Sequence, residues 1–173
     1  MAAGNISRRM AEIRELQASD GMLLKEVRLR ALRDAPHAFG GMRTYEEETA
    51  FPDSQWHQLA AELGGEVPLW RDRCAAFVAF QGDEACGIAS TYLCSRVPGR
   101  AFFSAAWVDS RFRRQGNGRA LVRKAIDWAQ ARNADHLRLW VDDANPDADA
   151  FYLALGFVPT GEQSISPGLQ RSD

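Results

Sequence analysis

The most constraining stretch of the sequence runs from residue 101 to residue 141, where two strand-like segments flank a turn and a helix. Residues 101–108 are apolar, aromatic or small, residues 116–131 repeat apolar side chains at helical spacing, and 137–141 is again mostly apolar. A strand, helix and strand of these lengths form a right-handed parallel crossover. The chain is therefore predicted to contain a layered sheet with one parallel strand pair.

Length and charge narrow the class of protein. A chain of 173 residues with 46% hydrophobic and 25% charged residues is in the globular range and long enough for one core. We predict a single domain over 10–162, with polar tails at 1–9 and 163–173. The chain has 21 basic and 23 acidic residues, for a net charge of -2, so nucleic acid is not an expected partner.

The cysteines and the apolar runs bear on the cellular compartment. Cys74, Cys86 and Cys94 are odd in number and lie in or beside strand-like segments, where a thiol acts as a small hydrophobe. This pattern favours the reducing cytoplasm. No apolar run approaches the roughly 18 residues of a membrane span, so no membrane partner is expected.

The other segments complete the predicted topology. A short strand near Ile13 comes before Ser19 and Asp20, either of which would cap a helix. Further helices are predicted over 22–32, 53–63 and 147–155, and further strands over 74–80, 85–93 and 157–160. Turn residues between 74 and 108 indicate an antiparallel meander. The predicted fold class is α/β (α+β), a mixed sheet with antiparallel N-terminal strands, one parallel crossover pair and helices on both faces.

The turn of the crossover carries the first chemical signal. Residues 113–118 read Arg-Arg-Gln-Gly-Asn-Gly and lead into a helix. Glycines let successive backbone N–H groups converge on a phosphate at the positive end of the helix dipole, and Arg113, Arg114 and Arg119 add cations. The alternative is that the glycines only make a turn and the arginines only face water.

Two familiar phosphate loops do not fit this segment. A Walker A loop needs Lys and then Ser or Thr after its second glycine, but Arg119 and Ala120 follow Gly118. The dinucleotide fingerprint needs a third small residue where Leu121 stands. ATP and NAD are both disfavoured as ligands.

A second pattern follows the next predicted strand and completes a resemblance. Residues 145–157 contain Asn145, Ala148 and Tyr152, followed by Gly156 and Phe157. Together with the spacing Arg-x-x-Gly-x-Gly of 113–118, this segment resembles the GCN5-related N-acetyltransferase (GNAT) superfamily. The resemblance extends loosely over residues 10 to 162, including 27–32 and 38–39, and is most specific in the C-terminal half.

The resemblance implies a cofactor site and a catalytic residue. In this family acetyl-coenzyme A (acetyl-CoA) lies between the fourth and fifth strands, with its diphosphate on the glycine loop. The implied cofactor-binding residues are Trp107, Val108, Arg113, Arg114, Gln115, Gly116, Asn117, Gly118, Asn145 and Phe151. Phe151 is expected mainly to pack, and Asn145 to contact the pantetheine arm, cap the next helix, or both. The phenol of Tyr152 is the candidate general acid for the leaving thiolate.

The general base is not identified by the resemblance. Some relatives use a glutamate on the fourth strand, but residues 101–106 contain no carboxylate. Water, the run 46–48 or Asp142 remain alternatives, although an acidic run is more often a solvated helix start. His37, His57 and His136 are too scattered to predict a metal site, and His37 is a weak candidate for a substrate contact.

These observations predict a cytoplasmic, acetyl-CoA-dependent N-acetyltransferase that acts on a primary amine by direct attack in a ternary complex. The acceptor would be a small molecule or a peptide, which the sequence does not name. A catalytically silent acetyl-CoA sensor or regulatory domain is the alternative. Residues 163–173 are polar where the family has a seventh strand, so a loop or the second subunit of a homodimer would cover the sheet edge.

Overall fold

The computed structural model of the protein describes residues 11–36 and 43–162. The predicted tails, His37 and the 38–39 segment lie outside the described residues. Apart from α2, which was not among the predicted helices, the elements follow the predicted order: β1 (Glu12–Glu15), α1 (Gly21–Asp34), α2 (Tyr45–Thr49), α3 (Asp53–Leu63), β2 (Cys74–Gln81), β3 (Glu84–Leu93), β4 (Arg100–Val108), α4 (Asn117–Gln130), β5 (His136–Arg138) and α5 (Pro146–Ala154).

The sheet is mixed, as predicted. Its five strands lie in the order β1-β2-β3-β4-β5, and every neighbouring pair is antiparallel except β4 with β5. Helix α4 joins the two parallel strands and forms the predicted crossover. The predicted fold class is confirmed by this topology.

The parallel strands β4 and β5 are hydrogen-bonded only over the first residues of β4. Strand β5 pairs with Arg100, Ala101 and Phe102, the first three residues of β4, and the remaining part of β4 continues without it. Between these pairs and the end of β4 the register with β3 shifts by one residue, and Ala105 adopts a left-handed φ of 51°. Such a bulge bends a strand and strengthens its twist. A gap therefore opens beside the second half of β4.

Two hydrophobic clusters hold helices against opposite faces of the sheet. One cluster joins α1 and α3 to the sheet and has Trp56, Val27 and Leu32 fully buried in it. The other joins α4 and, through partly buried residues, α5, and includes Phe77, Leu121 and Trp128. The helical periodicity of 116–131 is confirmed, since residues 121, 122, 125, 128 and 129 face the core.

The last part of the chain differs from the prediction. Strand β5 covers only His136–Arg138 instead of 137–141, and residues 157–160 form no strand. Val158 is 79% exposed, and Pro159 has no N–H group to donate to a ladder. The predicted sixth strand was therefore wrong within the described residues.

Candidate active site

The loop between β4 and α4 is held by its own side chains. Three of them donate to carbonyl oxygens of the preceding segment: Arg113 Nε to Val108 at 2.8 Å, Gln115 Nε2 to Arg111 at 3.1 Å, and Asn117 Nδ2 to Phe112 at 2.7 Å. The side chain of Asn117 is buried, with only 1% of the residue exposed. The side chains of Gln115 and Asn117 thus serve the loop itself, and only their backbone groups are free to meet a ligand.

The backbone amides of residues 114–119 have no acceptor in the part of the protein that the structure describes. The N–H of Arg113 donates to Ser110 at 3.4 Å, and the first helical bond runs from Ala120 to Gly116 at 2.9 Å; between them, within the described residues, no N–H of 114–119 donates to the protein. Arg114 and Gly116 have left-handed φ values of 60° and 92°. Left-handed residues within a loop curve its N–H groups into a concave nest, and the helix dipole adds partial positive charge. An anion could therefore be accepted by the free amides of this loop.

The edge of β4 that faces the gap is defined by its hydrogen bonds. Asp109 N donates to Cys86 of β3 at 2.9 Å, and Trp107 pairs with Ile88 on the same strand. Because backbone groups alternate between the two edges of a strand, those of Val108 point away from β3. The bond from Arg113 to the Val108 carbonyl agrees with this direction. Val108 is thus better placed than Trp107 to offer its backbone to a ligand in the gap.

The side chain of Trp107 lies on the other face of the sheet. Trp107 is 5% exposed, and its indole Nε1 donates to Asp34 at 2.9 Å. It packs with the cluster under α1 and α3. Any contribution from Trp107 to the site is therefore indirect.

The two sequence motifs meet at Gly118. A Cβ built on this glycine would lie 3.2 Å from Cζ of Phe151 and 3.8 Å from Cγ2 of Val108. A contact of 3.2 Å is tight for a carbon pair, since the optimum is about 3.5–4.0 Å. Glycine at this position lets the start of α4, the end of β4 and α5 come together. Phe151 acts here as the packing residue that the sequence predicted.

Tyr152 lies where the parallel strands separate. Its ring makes edge contacts with Phe103, Phe151 and Phe157, at centroid distances of 6.3, 5.1 and 5.6 Å. Phe103 directly follows the last residue of β4 that pairs with β5. Burial raises the pKa of Tyr152 to about 12, so the phenol keeps its proton at neutral pH. Tyr152 can therefore donate a proton or a hydrogen bond here.

Asn145 begins α5. Its side-chain Oδ1 accepts from Ala148 N at 3.1 Å, which confirms the predicted capping role. Asn145 and Tyr152 also line a cavity of about 910 Å³ between β5, α5 and residues 156–162. This cavity contains no residue of 113–118. It therefore adjoins the α5 side of the gap and not the anion-binding loop.

An ionic network that sequence reasoning missed supports the end of β4. Asp109, 7% exposed, accepts from Arg30 of α1 and from Arg111 Nη2 at 2.8 Å, and Arg111 also pairs with Glu84 at 2.6 Å. Hydrogen bonds from Arg111 and then Arg30 hold the pKa of Asp109 well below its usual range, against the opposing effect of burial. The only local signal was the Asp-Ser-Arg turn, since Arg30 lies 79 residues away.

The arginines of the loop therefore fall into two groups. Arg111 and Arg113 are paired with carboxylates. Arg114 and Arg119 are exposed and have no carboxylate within salt-bridge distance in the part of the chain that the structure describes. These two are the cations available to an incoming anion.

Of the carboxylates considered as general bases, Glu47, Glu48 and Asp142 are engaged in local structure, whereas Glu46 is exposed on α2. Glu47 caps α2 together with Thr44, and Glu48 is 4% exposed and accepts from Arg28 Nη2 at 2.9 Å. The interpretation of 46–48 as a solvated run is thus wrong for Glu48. Asp142 Oδ1 accepts from Ala144 N at 2.9 Å. The structure offers no carboxylate on β4 in their place.

Two further observations concern metals and membranes. Among the described residues no group of three or more histidine, cysteine or acidic side chains forms a metal-binding cluster. None of the helices in 11–36 or 43–162 combines the length and the apolar character needed to cross a bilayer.

A loop of free amides at a helix N-terminus, beside a parallel strand pair that separates, is a geometry that can accept a phosphate group at the end of a strand. The sequence profile described as "Acetyltransferase (GNAT) family" matches residues 41–157. The chain belongs to this family, and the resemblance drawn from the two motifs is confirmed.

Individual relatives agree with this assignment. Over 51 residues the chain is 45% identical to the "Uncharacterized N-acetyltransferase MJ1207" of Methanocaldococcus jannaschii, a match that covers 30% of this chain and 23% of that protein. The chain thus spans less than a quarter of this curated relative.

Solved structures show the same fold. Aminoglycoside acetyltransferase AAC(6')-Iy, bound to the bisubstrate analogue CoA-S-monomethyl-acetylneamine, has a TM-score of 0.68 with 19% identity, over 90% of this chain and 95% of that one. Glucosamine-6-phosphate N-acetyltransferase from Arabidopsis thaliana has a TM-score of 0.68 with 16% identity, over 91% and 97%.

Proposed function

We propose that this protein transfers the acetyl group of acetyl-CoA to a primary amine. The observation that carries the proposal is the run of unpaired amides 114–119 at the end of β4, beside the gap that the parallel strands leave. A diphosphate needs several converging donors, and this loop offers them together with Arg114 and Arg119. Acetyl-CoA supplies a diphosphate and, at the other end of its pantetheine arm, an acetyl thioester.

The backbone of β4 would orient the arm. Val108 presents its N–H group to the gap, as an edge strand presents its groups to an added strand. The next N–H on that edge belongs to Ala106, beside the bulge at Ala105. We assign Ala106 N–H as a donor to the thioester oxygen, where negative charge develops as the amine attacks.

The attacking amine must lose protons, and the leaving thiolate must gain one. The neutral amine forms the new C–N bond, the C–S bond breaks, and the sulfur leaves with the electron pair of that bond. Tyr152 donates its phenolic proton to the sulfur, and the proton lost by the amine restores the phenol through solvent. The acceptor ammonium must lose one further proton before attack, since its pKa lies near 10.

The raised pKa of Tyr152 is compatible with this role. In water a phenol and a thiol differ by about 1.5 pKa units. Burial penalises phenolate and thiolate alike, so both pKa values rise in the same gap and their difference changes little. Tyr152 would therefore keep its proton until the thiolate forms beside it.

Water is the proposed base. Glu47, Glu48 and Asp142 are engaged with Thr44, Arg28 and Ala144, Glu46 is exposed on α2, and β4 carries no carboxylate. An amine that loses its proton to solvent requires no protein base. The rate should then rise with pH until the pKa of the acceptor amine is reached.

Thermal denaturation with and without acetyl-CoA tests the binding step, and thiol release across a panel of amines tests turnover. A ligand at 100 times its Kd should add about 2.7 kcal/mol to the free energy of unfolding. An absence of stabilisation by acetyl-CoA would contradict the proposal.

A second candidate function is an acetyl-CoA sensor. The absence of a carboxylate on β4 favours it, because a sensor needs no base. Stabilisation by acetyl-CoA without thiol release for any amine would select this function over the enzyme.

The remaining expectations stay proposals. We propose residues 10–162 as the catalytic unit and the cytoplasm as its compartment, supported by three free cysteines. The acceptor is proposed to be a small-molecule or peptide amine. A homodimer covering the β5 edge is proposed on the short length of that strand.

A further inference from the structure

Asp34 lies at the junction of three elements. It is the last residue of α1, and its Oδ2 accepts from Trp107 Nε1 at 2.9 Å and from Arg113 Nη2 at 2.5 Å. The same guanidinium donates through Nε to the carbonyl of Val108 at 2.8 Å. One carboxylate oxygen thus joins the end of α1, the end of β4 and the start of the loop.

The position of this carboxylate is unfavourable for α1 itself. A negative side chain in the last turn faces the negative end of the helix dipole. Trp107 and Arg113 offset this cost with two hydrogen bonds to the carboxylate, and the bond from Arg113 is also an ion pair. The presence of an aspartate at this position is therefore explained by its hydrogen bonds to Trp107 and Arg113 and not by the stability of α1.

The loop needs such a restraint. Arg114 has a φ of 60°, a left-handed conformation that a non-glycine residue keeps only where its surroundings hold it there. Arg113 is the residue directly before it, and its side chain is fixed at both ends of the guanidinium. Fixing Arg113 sets the direction from which the chain enters the run of free amides.

We propose that Asp34 is a positioning residue for the cofactor loop. By holding Arg113 against Val108, Asp34 presets the amides 114–119 in the curved arrangement that binds a diphosphate. The inference rests on the proposed function and names a residue outside both sequence motifs. The ion pair is partly exposed, with 33% of the Asp34 side chain and 49% of the Arg113 side chain accessible. Its effect should therefore fall on the order of the loop more than on global stability.

The test compares two thioester substrates in Asp34→Asn. Acetyl-CoA carries the diphosphate, and S-acetylpantetheine has the same arm and thioester without any phosphate. We expect kcat/KM for acetyl-CoA, and the affinity for CoA measured by calorimetry, to fall about tenfold, which corresponds to about 1.4 kcal/mol. The kcat/KM for S-acetylpantetheine should stay within about twofold, since it does not use the loop.

A matched control is Asp53→Asn. Asp53 also pairs α1 with another element, through Lys25 at 2.7 Å, but on the α3 side. This variant should leave both substrates unchanged. A double-mutant cycle of Asp34→Asn with Arg113→Lys should be less than additive for CoA affinity, because both changes break the same contact.

The outcomes separate this inference from the proposed function. If wild-type protein binds CoA and Asp34→Asn binds it equally well, the positioning role is overturned and the function stands. Equal losses with both thioesters would assign Asp34 a general structural role and also overturn the inference. If the wild-type protein does not bind CoA, the proposed function itself fails.

Discussion

The two sides of the gap between β4 and β5 are built by different means. On one side, ion pairs and side-chain bonds to carbonyls hold the loop 113–118, and Asp109 and Asn117 are buried beneath it. On the other side, α5 has no fully buried residue, and edge contacts between aromatic rings place Tyr152. We call the loop 113–118 together with Asp109 the loop wall, and α5 together with the aromatic rings around Tyr152 the α5 wall.

This difference suggests a division of labour. A loop wall fixed by charges and unpaired amides suits the binding of a charged group whose position must not vary. The aromatic α5 wall partly buries Tyr152, and this burial raises the pKa of the phenol. Changes to the loop wall should thus alter cofactor affinity, and changes to the α5 wall should alter the rate.

The largest expected effect is on the α5 wall. Tyr152→Phe removes the proton donor but keeps the ring contacts, so kcat should fall about 10²–10³-fold while the Kd for CoA stays within about twofold. Steady-state kinetics and calorimetry measure the two quantities. Tyr92→Phe, at an exposed tyrosine on β3, is the control and should change neither. Equal losses in kcat and in CoA affinity would show that Tyr152 contributes to cofactor binding. The proposed difference between the two walls would then be wrong.

The next effect is on stability at the base of the loop wall. Asp109→Asn leaves Arg30 and Arg111 without their shared carboxylate and should cost about 2–3 kcal/mol at pH 7. The pKa of Asp109 is lowered in the folded state, so its contribution is complete above the unfolded value of about 4 and is lost as pH falls further.

Urea unfolding of wild type and Asp109→Asn at pH 7 and at pH 3 checks this expectation. The difference in the free energy of unfolding between the two proteins should be smaller at pH 3 than at pH 7. A difference that stays constant between pH 7 and pH 3 would show that the charge of Asp109 does not carry the effect.

A smaller effect follows from backbone strain. Gly116→Ala puts a Cβ on a residue with φ of 92°, which should cost about 1–2 kcal/mol of stability and weaken CoA binding about tenfold. Gly82→Ala is the matched control, since Gly82 has a φ of 63° with open space around it in the turn between β2 and β3. We expect the same stability loss there with unchanged CoA affinity. Thermal melts and calorimetry on both variants distinguish strain from loss of the anion site.

The smallest effect concerns the free cations. Arg119→Ala removes an exposed charge at the start of α4, so CoA affinity should fall about threefold at low salt and less at high salt. Titrations at two ionic strengths measure this. A loss that does not depend on salt would indicate that Arg119 acts through packing and not through its charge.

The sequence predicted those structural features around the candidate site whose signal is local. The glycines at 116 and 118 and the periodicity of α4 define the loop and its helix within one continuous stretch. The Asn-x-x-Ala pattern likewise placed the cap of α5 and the position of Tyr152. Each of these features depends on residues that are close in the sequence, and for such residues the spacing along the chain determines the local geometry.

The parts that were missed depend on distant residues or on missing partners. Asp34 and Arg113 are 79 positions apart, and no spacing rule connects them. The bulge at Ala105 contains no glycine, so nothing in the strand pattern marked it. Residues 157–160 have the apolar character of a strand, but a strand needs a neighbour, and the short β5 provides none. Local propensity cannot report whether that neighbour exists.

Backbone amide NMR during titration with CoA tests the central claim most directly, namely that the amides 114–119 bind a diphosphate. We expect the signals of 114–119 and of Val108 to shift together on addition of CoA, whereas pantetheine should shift Val108 and leave 114–119 unchanged. Signals of 114–119 that do not move at saturating CoA would contradict the account.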